Sequence, residues 1–187
     1  PEWYRDYVGL EALAVSLHDY STMGVLGLLQ TEEYARAVFT QRYPPLDEEI
    51  INKRIADRLS RQQIFERWPL PEFSFVMEQA VLERPIGGPE VHREQLRYLL
   101  RIGRLRNVQM QVMPTRRAEH PCLDNSFTLL TLKGKDQVGY MESHGYPRLI
   151  IDREEVRTLA ARYGIIRAQA LNPPETLEMI ERMLEKV

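Results

Sequence analysis

What this 187-residue chain lacks narrows its chemistry first. It holds one cysteine, Cys122, so no internal disulfide can form and the sequence fits a reducing compartment, read here as the cytoplasm. No stretch approaches the run of about 18 apolar residues that a membrane helix needs. No basic surplus exists: 25 Lys and Arg stand against 27 Asp and Glu, a net charge of -2. A freestanding nucleic-acid binder neutralises phosphates with cations, so this balance argues against DNA binding by these residues alone. His18, His92, His120 and His144 show no HxxxH spacing. His120 and Cys122 sit two apart in a polar loop, 115–125, but two ligands do not make a zinc site. A Cys/His nucleophile pair there would need an orienting third group. GxSxG, GxGxxG and GxxxxGK are all absent. The opening PEWYRDYVGLEALAV is interrupted by Glu2, Asp6 and Glu11 and is no signal peptide. A start at Pro1 without Met reads as a piece of a longer protein.

What is present is a soluble α+β pattern. Trp3, Tyr7, Leu10, Ala14 and Leu17 recur at helical spacing, which predicts a helix from Glu2 to His18. Its aromatic face is either core or a contact with an upstream domain. VLGLLQ, 25–30, reads as a short strand or a buried connection. Thr31 with Glu32 and Glu33 then starts a helix, because the hydroxyl caps orphan N–H groups and the acids meet the positive end of the dipole. Tyr34, Ala37 and Val38 form its expected inner face, and YPP ends it. Asp47 opens the next helix, with Ile51, Ile55, Leu59 and Gln62 on one side. EFSFVMEQAVL is strand-like, and Gly88-Pro89 starts a helix carrying His92, Leu96, Leu99 and Gly103. NVQMQVMP alternates as a strand. NSFTLLTL and DQVGYMES flank KGKD as a hairpin, with RLII as a further short strand. Asp152 and Asn172 start two last helices. The expectation is a mainly antiparallel sheet of about four to five strands with helices packed on it.

The chemistry-bearing candidates are few. Arg54, Arg58 and Arg61 border the apolar face of the 47–66 helix. An arginine there can grip a carboxylate or anionic ligand with its fork; the plainer reading is a snorkelling side chain or a surface pair with Asp57 or Glu66. Glu78 falls at a strand end, and a buried carboxylate needs a partner; Arg58, Arg61 and Arg84 are the candidates. Either a pocket or a structural ion pair would result. Gly87-Gly88 before a helix could hold an anion through backbone N–H groups. Glu78 and Glu142 can be imagined as a hydrolase pair, but nothing in the sequence sets their separation.

Three stretches resemble a known family. GLLQTEEYARAV is similar to its PGLLQTEEYARA pattern, RLSRQQIF to its RxxRQ helix, and MEQAVLERPIGGPEVHREQLRYL to its strand-to-helix join. NVQMQVMP, FTLLTL and VGYMES follow in the order that family shows. The chain thus resembles the C-terminal domain of actinobacterial antitoxin-like regulators with a lambda-repressor-like helix-turn-helix. The resemblance implies an upstream helix-turn-helix that alone contacts DNA, with residues 1–20 as the linker helix to it and 21–187 as the regulatory domain. It implies binding of a small protein partner or a small-molecule effector, no enzymatic activity, no cofactor or metal, no membrane, and a homodimer as one possible state. A groove between the sheet and the 47–66 helix is the expected place. Arg58, Arg61, Gln62, Glu78, Arg84 and the Gly27–Tyr34 join are the positions carried over, with Arg54 beside them. Leu26 departs from the pattern, standing where the family has Pro. The residues alone leave open a hydrolase using Glu78 or Glu142, and a plain dimerisation module.

Overall fold

The computed structural model describes residues 2–121 and 125–187. Its largest departure from expectation comes first in the chain. The predicted helix to His18 stops early: α1 spans Glu2–Leu13 and runs directly into a strand, β1, at Ala14–Ser21. The other strands are β2 (Glu72–Glu78), β3 (Val108–Met113), β4 (Phe127–Leu132), β5 (Gln137–Ser143) and β6 (Tyr146–Ile150). They form one six-stranded sheet in the order β3-β2-β1-β4-β5-β6. β1 lies inside it, parallel to β2 and antiparallel to β4. Residues 14–20, expected in a linker, are therefore built into the sheet. The sheet is mixed rather than mainly antiparallel: β1, β2 and β3 run parallel, and β4, β5 and β6 continue antiparallel. Parallel pairing needs long crossovers, and the helices after β1 and β2 supply them.

The helices follow their predicted caps closely. α2 (Glu32–Thr40) is capped by Thr31, whose hydroxyl accepts from Tyr34 N. Its buried face is Tyr34, Ala35 and Phe39, a rotation from the expected Tyr34/Ala37/Val38. α3 (Glu48–Ser60) is capped by Asp47 and continues into a 3₁₀ turn at Arg61–Phe65. α4 (Gln79–Glu83) follows β2, and α5 (Pro89–Gly103) starts after Gly88, whose φ of 94° favours glycine. Asp152 caps α6 (Arg153–Gln169), and a reciprocal Asn172–Glu175 capping box opens α7 (Pro173–Leu184). VLGLLQ is neither strand nor plain coil: Gly27–Leu29 makes one 3₁₀ turn.

Three layers result. One sheet face carries Leu17, Phe73, Phe75, Met110, Val112 and Leu130 into the main core, which α1, the two 3₁₀ turns, α5 and α7 cover. On the opposite face Tyr20, Val76, Met113 and Leu129 pack under α6 through Val156, Leu159, Tyr163 and Ile166. α2 and α3 join through Ala35, Phe39, Ile51 and Ile55. Among the described residues no helix is long and apolar enough to cross a membrane.

Candidate functional site

The residues singled out in the sequence fall into three separate networks. The first ties the 25–31 turn to its neighbours. Gln30, 5% exposed, donates from Nε2 to the Val25 carbonyl at 2.7 Å, and its Oε1 accepts from Arg58 at 2.5 Å. The Gln30 carbonyl accepts from Gln62 Nε2 at 2.7 Å. From α5, Gln95 donates to the Leu29 carbonyl at 2.7 Å and accepts from Thr31 N at 2.9 Å. The Arg58 guanidinium lies 4.4 Å from the Phe39 ring centroid. It also lies against Gly27, where an added Cβ would stand 3.1 Å from Arg58 Nε. The Arg54 guanidinium lies 5.9 Å from the centroid of the same ring, and the residue is half-buried. A turn with few backbone bonds of its own is thus satisfied by side chains, as buried polar groups require. Leu26 has φ -50°, within the range that a proline ring imposes, so the turn keeps its shape without that ring.

The second network fastens α1. Arg61 donates from Nε and Nη2 to both carboxylate oxygens of Glu11 at 2.7 Å each. Glu11 is 2% exposed and the Arg61 side chain 11%. Arg67 adds hydrogen bonds to the carbonyls of Ala12 and Ala14, where α1 ends and β1 begins. Such carbonyls lack partners within the helix. A cleft of about 700 Å³ opens beside this pair, between Val8 and Ala12 of α1 and Gln63, Ile64 and Glu66 opposite. Tyr7, from the same face of α1, packs its ring 4.1 Å from that of Tyr140. Behind it lies Asp19, 3% exposed, which accepts from Ser21 and from Thr128 at 2.5 and 2.7 Å. Burial raises its pKa to about 6, with the Glu11 charge adding to the rise and the two hydroxyls opposing it.

The third network surrounds Glu78. Its partners are not the expected arginines. Tyr20 donates its hydroxyl to Glu78, and His120 Nε2 stands 3.2 Å away. Arg58 and Arg61 belong to the networks above, and Arg84 is exposed. The reason is the face of the sheet: Glu78 and Tyr20 sit on the α6 side, whereas α1 and the Arg61–Phe65 turn cover the other. Among the described residues His120 Nδ1 is buried without a partner. Cys122, beside it in sequence, lies outside the described residues, as does the Trp3 side chain. Glu142 is exposed and accepts from Tyr140 at 3.0 Å, so the imagined Glu78–Glu142 pair occupies two distinct networks. Gly87-Gly88 starts α5 with Gly87 against Val91 and Ala37. No group of three or more metal-binding side chains occurs among the described residues.

Sequence reading missed Glu11, Arg67 and Tyr20. Glu11 had a signal: it lies four residues after Tyr7, on the aromatic side of the helix. Tyr20 had none, because the strand that aims it was read as helix and turn.

The architecture is that of a three-layer α+β domain whose polar side chains are spent on holding a turn and a first helix in place, with open clefts at its margins. The chain belongs to the family described as a domain of unknown function, DUF5753, whose model matches residues 4–182. No curated protein and no solved structure matches it.

Proposed function

We propose that this chain is the regulatory domain of a DNA-binding transcription regulator, in which a small protein partner or ligand engages the cleft beside α1 and alters DNA binding. In this reading α1 is the connection to an upstream helix-turn-helix, and this domain makes no contact with DNA. The observation that carries it is the fastening of α1. A bidentate ion pair, Arg61–Glu11, and the Arg67 contacts hold its end while an open cleft lies alongside. A binder in that cleft meets the one helix that leads out of the sheet's central strand toward the amino terminus. A small preference for one position of α1 is enough to shift an equilibrium. The mixed charge of the chain, net -2, fits a domain that leaves phosphate contacts to another. The hydrolase reading gains little from Glu78, whose Oε1 already takes the Tyr20 hydroxyl and faces His120 Nε2, and which has no second carboxylate beside it among the described residues.

Hydrogen exchange of this chain with and without candidate partners, small proteins encoded by any neighbouring genes, tests the reading. Added protection is expected in residues 2–13 and 60–67. Binding that protects only other segments, or no binding at all, removes the α1 cleft from the account.

A further inference from the structure

A second cleft, of about 930 Å³, shares no lining residue with the one beside α1. It opens beyond the carboxyl ends of β2 and β3, the place where open sheets with parallel strands commonly receive ligands. The most buried polar residue in its lining is His92, 5% exposed and without a side-chain hydrogen bond among the described residues. Burial lowers the His92 pKa, so its ring is neutral near pH 7 and offers one donor and one acceptor. Leu82 from α4 and Met179 and Met183 from α7 form apolar walls, and methionine surfaces adapt to varied shapes. Arg116 and Arg182 stand exposed at the rim with no ion pair among the described residues; Glu83 is the one acidic side chain in the lining, and the terminal Val187 there accepts from Arg93. The cleft therefore combines a buried polar ring, apolar walls and exposed cations.

We propose that this cleft binds a small amphipathic organic acid, its carboxylate at Arg116 and Arg182, its apolar body along Leu82, Met179 and Met183, and a hydroxyl or carbonyl group at His92. An anionic rim contact and a buried neutral donor–acceptor select such a molecule over a neutral lipid or a fully polar metabolite. The site does not depend on the regulatory reading: a ligand can bind here whether or not it moves α1.

Calorimetric titration of the chain with decanoate, ω-hydroxydecanoate and decanol tests it. One-to-one saturable binding is expected for both acids, with decanol at least about tenfold weaker, as the loss of a charge-assisted hydrogen bond implies. Arg116→Ala and Arg182→Ala should each weaken the acids about tenfold while leaving thermal unfolding unchanged, since both side chains are exposed. The hydroxy acid should bind more tightly than decanoate, and His92→Leu should erase that difference without abolishing decanoate binding. No saturable binding of either acid at millimolar concentration overturns the site. So does binding that neither arginine substitution weakens. If His92→Leu fails to fold, His92→Gln, which keeps a donor and an acceptor, replaces it and should retain the preference for the hydroxy acid; loss of that preference in a folded variant removes His92 from the site.

Discussion

At the residue scale, most of the charged groups that attract attention in the sequence act on the fold. Arg61 and Glu11 illustrate the energetics. Removing either partner strands a buried charge, which costs about 3–5 kcal/mol. Glu11→Ala and Arg61→Ala should each lower stability by that order in urea titration, and the Glu11→Leu/Arg61→Met double variant should lose less than either single. A double variant as unstable as the sum of the singles would show that the pair is not coupled. Gly27 is a matter of space: Gly27→Ala would push a methyl against the Arg58 guanidinium at 3.1 Å. The expected cost is about 1–3 kcal/mol, the usual range for overpacking, because Arg58 is held by Gln30; a variant as stable as the parent would show that the guanidinium yields to the methyl.

Asp19 carries a pH signature. Its folded pKa, about 6, lies above the 3.8 usual for an aspartate, so between these values the folded state binds more protons than the unfolded. Stability from this group is complete below pH 4 and falls as pH rises through 6, by about 3 kcal/mol from the two-unit shift. The stability difference between the parent and Asp19→Asn should therefore move against the parent from pH 4 to pH 7. A constant difference across that range would place the Asp19 pKa at its ordinary value.

At the scale of elements, caps and periodicity made much of the chain legible. Thr31, Asp47, Asp152 and Asn172 each begin the helix they announce. Thr31→Ala should cost about 1 kcal/mol, measured by thermal unfolding; an unchanged melting temperature would mean that Gln95 and the 25–31 turn hold α2 without the cap. The β4–β5 hairpin and β3 were equally plain. β1 was not. Leu17, Asp19 and Ser21 point to one face, and two of these three are polar, so the period of two that marks a strand is absent. The Trp3-to-Leu17 spacing meanwhile continues helical across the α1–β1 join. The direction of β2 and β3 was hidden as well, since a strand's sequence does not state which neighbour it pairs with. Of the candidate residues, Arg58 and Gln62 were legible as border groups, but their partner, the 25–31 turn, lies about 30 positions away in sequence. Glu78 was legible as a buried acid that needs a partner, while Tyr20 and His120 could be assigned to it only once β1 was known.

At the scale of the whole molecule, the sheet separates two kinds of surface. The face under α6 holds Glu78 beside Tyr20 and His120 and carries smaller clefts, of about 360 and 240 Å³. The other face is covered by α1, α5 and α7, and both larger clefts open at its margins. Open clefts at the margin, one of them beside α1, are what the proposed regulation through α1 requires. The motif residues that carry the proposed resemblance, Arg58, Arg61 and Gln62 among them, brace the 25–31 turn and α1.

The most direct test of the proposed function is the DNA affinity of the product of the whole gene, measured by fluorescence anisotropy on a duplex selected from a random pool, with and without a partner that binds residues 1–187. The account predicts tight binding by the whole product, none by residues 1–187 alone, and at least a tenfold change in Kd when the partner is added. An unchanged Kd under saturating partner, or DNA binding by residues 1–187 alone, would contradict it.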